Sequence, residues 1–137
     1  MKWFSLLNNY LIQKQKEKNL SVIKARKQVA EIIFKVLTGN ICVREAIKLF
    51  PPDIMDLSIQ CAWHALIHYE SDQEYRMNQE YSNEQNDYLE MIAFILRDGN
   101  ALPANIIESY HQYYERASIP NSKTFQGWIK RLIRFTI

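Results

Sequence analysis

Apolar residues recur every three or four positions along almost the whole chain, and nowhere do they alternate with polar ones for long enough to make a strand. That period lines up one face of a helix, so the pattern predicts an all-α fold with no sheet. Only three glycines and four prolines punctuate the 137 residues, too few for a turn-dense β-sandwich or barrel.

The punctuation divides the pattern. Trp3, Leu6, Leu7, Tyr10 and Leu11 form a first stripe, expected to be buried, which fades into the polar stretch 13–18. Ser21 suits the cap of a second helix with the stripe Val22, Ala25, Val29, Ile32, Ile33, Val36 and Leu37, and Gly39 suits its left-handed terminus. Asn40 is placed to cap a short helix over 41–50, which Pro51-Pro52 stops. Asp53 or Asp56 opens the next, over about 54–69. The polar stretch 71–86 either continues that helix or breaks around Ser82-Asn83.

A strongly apolar helix follows over 88–97, ended by Gly99. Pro103 suits the first turn of another over 104–117, and Ser122 or Thr124 caps a last one over 125–135. Its stripe of Phe125, Trp128, Ile129, Leu132, Ile133 and Phe135 stands opposite Lys130, Arg131 and Arg134. The length is that of one domain, 1–137. The expectation is a single compact bundle of six or seven short helices, mostly antiparallel neighbours joined by brief connections.

Charge is organised in blocks although the net charge is only +2. Residues 1–50 hold ten Lys/Arg against three Glu, residues 51–115 hold twelve Asp/Glu against Arg76 and Arg97, and the last 22 residues hold five basic groups and no acid. Such asymmetry marks a binding surface, or the blocks neutralise one another on folding. Because the basic ends also carry apolar stripes that need a core, the pattern predicts basic terminal helices packed around an acidic middle. One acidic surface then remains near 70–90.

Catalytic signatures are missing. There is no G-x-S-x-G elbow, and three scattered glycines make neither a P-loop nor a dinucleotide fingerprint. Cys42 and Cys61 sit in apolar, helix-like surroundings and read as reduced core residues. With no run of about 18 apolar residues there is no transmembrane segment. Together these features lead to the expectation of a cytoplasmic protein without a cofactor, acting by binding more than by catalysis.

Candidate chemistry lies in Trp63-His64-Ala65-Leu66-Ile67-His68-Tyr69-Glu70. His64 and His68 are one helical turn apart, a spacing found in metal sites, but Ala65 stands where a metalloprotease has its Glu. A third ligand would come from His111, Glu70, Asp72 or Glu108, of which Glu108 and His111 form a single E-x-x-H unit. At about 100° per residue, His68 falls between Leu57 and Cys61 and His64 beside Gln60 and Asp56. The first therefore reads as a buried histidine held by a neighbouring Tyr or carboxylate, and the second as exposed.

Three function classes compete. The leading one is a protein-binding module (regulatory, adaptor or toxin-neutralising) whose acidic, tyrosine-bearing face comprises Glu70, Asp72, Glu74, Tyr75, Glu80, Tyr81 and Glu84, with self-association as another mode. The second is nucleic-acid binding through Lys14, Lys16, Lys18, Lys24, Arg26 and Lys27. The third is a metal site on His64 and His68.

Overall fold

The computed structural model describes residues 2–52 and 56–116, the last five as backbone only. Among them it is all-helical: α1 (Lys2–Leu37), α2 (Val43–Leu49), α3 (Leu57–Ser71), a single 3₁₀ turn (Tyr75–Met77), α4 (Gln79–Arg97) and α5 (Ala104–Arg116). The helix expected over 125–135 lies outside the described residues.

The two helices expected before Gly39 are one. Residues 13–18 are Gln, Lys, Gln, Lys, Glu and Lys, all good helix formers, and no Gly or Pro interrupts them. Polarity there breaks the apolar stripe without breaking the backbone. Gln15 donates to Asn19 one turn on (3.3 Å), and Ser21 lies inside the helix instead of capping one. At 1.5 Å per residue α1 is about 54 Å long.

Only its second half joins the core. Val29, Ala30, Ile32, Ile33 and Val36 are buried, whereas every residue from Lys2 to Ser21 is exposed. The stripe Trp3–Leu11 therefore does not line the core as its period suggested. Nor do the basic N-terminal residues wrap around the acidic middle: Lys14, Lys16 and Lys18 ride on a projecting arm about 28 Å long.

The core joins the second half of α1 to α3 and α4, with α2 and the start of α5 against its edges. Ile33, Ile59, Leu66, Leu89, Ile92 and Leu96 are its largest fully buried side chains. Phe50, just beyond α2, packs edge-on against Trp63 with ring centroids 5.1 Å apart. α2 begins at Val43 after Cys42, so Asn40 does not cap it. Cys42 is exposed at that boundary, contrary to its reading as a core residue, while Cys61 is buried.

The terminators behave as local chemistry requires. Gly39 (φ 77°) ends α1 with its N–H on Val36 O, and Gly99 (φ 81°) follows α4 with its N–H on Leu96 O. Asp56 caps α3, its side chain accepting from Ile59 N at 3.2 Å. The break in the polar stretch comes earlier than Ser82-Asn83. α3 ends at Ser71, and α4 starts after Asn78, whose side chain accepts from the N–H groups of Glu80 and Tyr81. Asn78 is the stronger cap because its oxygen reaches two of the orphan donors. Pro103 precedes α5 and offers its carbonyl to Ile106 and Ile107.

Candidate functional site

The segment from Ser71 to Asn78 bends the chain sharply between α3 and α4 and puts polar and aromatic groups at the bend. Asp72, just past α3, accepts from Tyr81 Oη (2.8 Å) and Gln85 Nε2 (3.3 Å), which ties the bend to α4. The Tyr75 and Tyr81 rings are 6.1 Å apart. Arg76 Cζ lies over the Tyr69 ring, 3.7 Å from its centroid, so the one cation of this stretch is tucked inward. Tyr75 and Met77 point outward, 68% and 89% exposed.

Of the seven residues assigned to this face, Tyr75, Tyr81 and Asp72 are brought together. Glu74, Glu80 and Glu84 are exposed on the same stretch and Glu70 is half-buried. Hydrogen bonding to Asp72, with burial and the Asp72 charge adding to it, raises the Tyr81 phenol above its ordinary value, so Tyr81 is protonated and donating at neutral pH. Met77 was not legible as a member, because a lone methionine in a polar run carries no periodic signal. The cap at Asn78 is the clue that would have found it: the 3₁₀ turn it closes has no buried residue.

Two recesses lie along α5, the smaller of them against this face. One, of about 290 Å³, is lined by His68, Asp72, Tyr81, Gln85, Tyr88, Ser109 and Tyr110. The other, of about 440 Å³, lies between α3 and α5, with Leu57, Cys61, Ala104, Ile107 and Tyr110 as its apolar wall and Gln60, His64, Glu108 and His111 as its polar one. Tyr110 borders both, its ring 6.3 Å from His68 and 6.1 Å from Tyr88.

This arrangement separates the two histidines. His64, expected to be exposed, is half-buried in the larger recess with Glu108 and His111, while His68, expected in the core, is half-buried in the smaller one beside Asp72. Among the described residues no group of three or more His, Cys, Asp or Glu is placed to hold a metal ion. The basic cluster is dispersed too. Arg26 is half-buried on Asp56, and around the helix Lys14 and Lys18 face one side while Lys16, Lys24 and Lys27 face another.

Burial, with a smaller contribution from His68, lowers the His64 pKa from 6.5 to about 3; burial lowers His68 as well, against the opposing pull of Asp72. Both rings are thus neutral at pH 7. Burial and the Asp56 charge push the Cys61 thiol up to about 11, which leaves it unreactive.

The depressed histidines make stability fall with acid. Between pH 6.5 and about 3 the unfolded chain protonates His64 and the folded one does not, so protons favour unfolding. Denaturant titrations at pH 7.5 and pH 4.5 should show a loss that shrinks by about 2 kcal/mol in His64→Gln. Equal pH dependence in the two proteins would show that His64 is not held neutral by the fold.

No helix among the described residues is long and apolar enough to cross a membrane. Compared with known protein families, with curated proteins and with solved structures, the chain finds no match.

Proposed function

We propose that this is a non-enzymatic protein-binding module that takes a basic partner segment on the face built by Tyr75, Met77 and Tyr81 among Glu70, Asp72, Glu74, Glu80 and Glu84. One observation carries the reading. Two large side chains, Tyr75 and Met77, stand out at 68% and 89% exposure within an acidic stretch whose only cation, Arg76, is folded back onto Tyr69. Aromatic and Met side chains are enriched where partners bury them, and a ring of carboxylates speeds and orients the encounter with a cation-bearing surface. The smaller recess, which Asp72 and Tyr81 help to line, offers room for a partner side chain beside that face. A regulatory or adaptor role in the cytoplasm fits such a module.

Affinity capture with quantitative mass spectrometry, run in parallel on the native chain, on Tyr75→Ala/Met77→Ala and on Glu74→Lys/Glu80→Lys/Glu84→Lys, tests it. The reading expects a partner retained by the native chain, lost at least tenfold from both variants, and released by salt. Partners retained equally by the charge-reversed variant would sink it.

A further inference from the structure

The arm of α1 carries an apolar face that stays exposed among the described residues. At about 100° per residue, Leu6, Tyr10, Trp3, Leu7, Leu11 and Phe4 fill an arc of about 160°, and Ser5, Asn8, Asn9, Gln13 and Lys2 lie on the opposite side. Trp3 is 67% and Phe4 72% exposed, their rings edge to face at 5.6 Å. With aromatic side chains contributing about 150–250 Å² each when covered, the stripe offers on the order of 600 Å². That is at or beyond the largest patch an ordinary monomer shows to water, about 300–600 Å².

We infer that the arm is a self-association element: the stripe pairs antiparallel, about Leu7, with the same stripe of a second copy. Area is the first reason. Covering both stripes removes on the order of 1,200 Å² from water, the lower end of what specific interfaces bury. Shape is the second. The centre of the stripe lies about 50° around the helix from the centre of the buried face formed by Val29, Ile32, Ile33 and Val36, so the folded body stands largely on the same side. A broad flat surface laid along the stripe meets that body, whereas a second helix, about 10 Å across, fits beside the arm.

Charge chooses the direction. Past the stripe, Lys14, Lys16 and Lys18 form a collar with Glu17 as its only acid. Parallel pairing stacks the two collars against each other. Antiparallel pairing about Leu7 sets Trp3 opposite Leu11 and Phe4 opposite Tyr10, and puts the collars at opposite ends. Lys16 of one copy is then about 27 Å from its counterpart along the axis, more than three Debye lengths of about 8 Å at physiological salt. The chain's own last 22 residues are a poorer cover, since they bring five more cations and no acid toward the same collar.

Sedimentation equilibrium on the full chain tests this. A reversible dimer with a micromolar Kd is expected, weakened at least tenfold by Leu7→Asp, with the thermal unfolding midpoint at low concentration unchanged because residue 7 makes no contribution to the core. In a Cys42→Ser background, Leu7→Cys should form the symmetric cross-link on mild oxidation and Trp3→Cys should not. A chain monomeric at about 200 μM overturns the inference, with or without binding to vesicles containing phosphatidylglycerol. A dimer indifferent to Leu7→Asp overturns it too, and cross-linking of Trp3→Cys as efficient as that of Leu7→Cys overturns the antiparallel seam.

Discussion

Asp56→Ala is expected to cost about 3–5 kcal/mol of unfolding free energy, the range for stranding one member of a largely buried ion pair. Asp56 and Arg26 are only 15% and 17% exposed. One carboxylate oxygen accepts from Arg26 Nη2 at 2.9 Å, and the other takes both Arg26 Nε (3.1 Å) and the N–H of Ile59. Arg26 also donates through Nη1 to Gly99 O at 3.0 Å. One guanidinium thereby joins the middle of α1, the first turn of α3 and the chain leaving α4. Removing the carboxylate uncaps α3 and leaves a partly buried cation with a single carbonyl.

The pair is expensive to break more than it is valuable to have. Arg26→Met with Asp56→Ala removes both charges and should recover most of the loss, leaving about 1 kcal/mol for the missing cap. Asp56→Asn keeps a capping oxygen and should fall between. Urea titrations of these variants, read as a double-mutant cycle, check the set. A cost under 1 kcal/mol for Asp56→Ala would mean that the junction is solvated and structurally idle.

Gly99→Ala is the second large effect, about 2–4 kcal/mol, against about 1–2 kcal/mol for Gly39→Ala. Both glycines hold left-handed backbone, at φ 81° and 77°. A left-handed L-residue costs about 1–2 kcal/mol, which is all that Gly39→Ala meets, because nothing lies within 4 Å of the added Cβ. At Gly99 the new methyl would sit 2.7 Å from Ile23 Cγ2. Ile23 is β-branched and half-buried on α1, so its methyl cannot swing aside freely, and α1 and the α4 terminus must separate. That movement also pulls Gly99 O away from Arg26, so Gly99→Ala and Arg26→Met should not be additive. Thermal and denaturant unfolding of the two glycine variants decide it: equal losses would show that only the dihedral matters.

The readable parts of the fold are those whose cause lies within one helical turn. Gly39 and Gly99 are legible, and Asp56 is one of two candidate caps, because each satisfies backbone groups three residues away. The break near Ser82-Asn83 was misplaced for an equally local reason: several polar residues compete to cap α4, and Asn78 wins by reaching two donors. The bridge across 13–18 is hidden in the sequence because the amphipathic pattern lapses there while the helix does not. Helix-forming Gln, Lys and Glu keep the backbone regular whether or not a face is buried.

The candidate surface was half-legible. Acidity and tyrosines marked 70–84, but Met77 and the inward fold of Arg76 depend on how the bend packs on α3. The histidines show the same limit. Spacing placed His64 and His68 on one helix, yet α5 and α4 cover that helix from two sides, and each ring goes to a different recess.

By itself, then, the sequence determined that the described residues are helical and that helices end at Gly39 and Gly99, because hydrogen bonds of i to i−4 reach and capping chemistry are properties of neighbouring residues. Only the tertiary structure decided which apolar stripe is core. Trp3–Leu11 and Val22–Leu37 look alike as periodic patterns on one continuous helix, but burial needs a partner surface, and α3 and α4 are long enough to cover only the second. Among the described residues the first stays exposed, on an arm whose period alone predicts core.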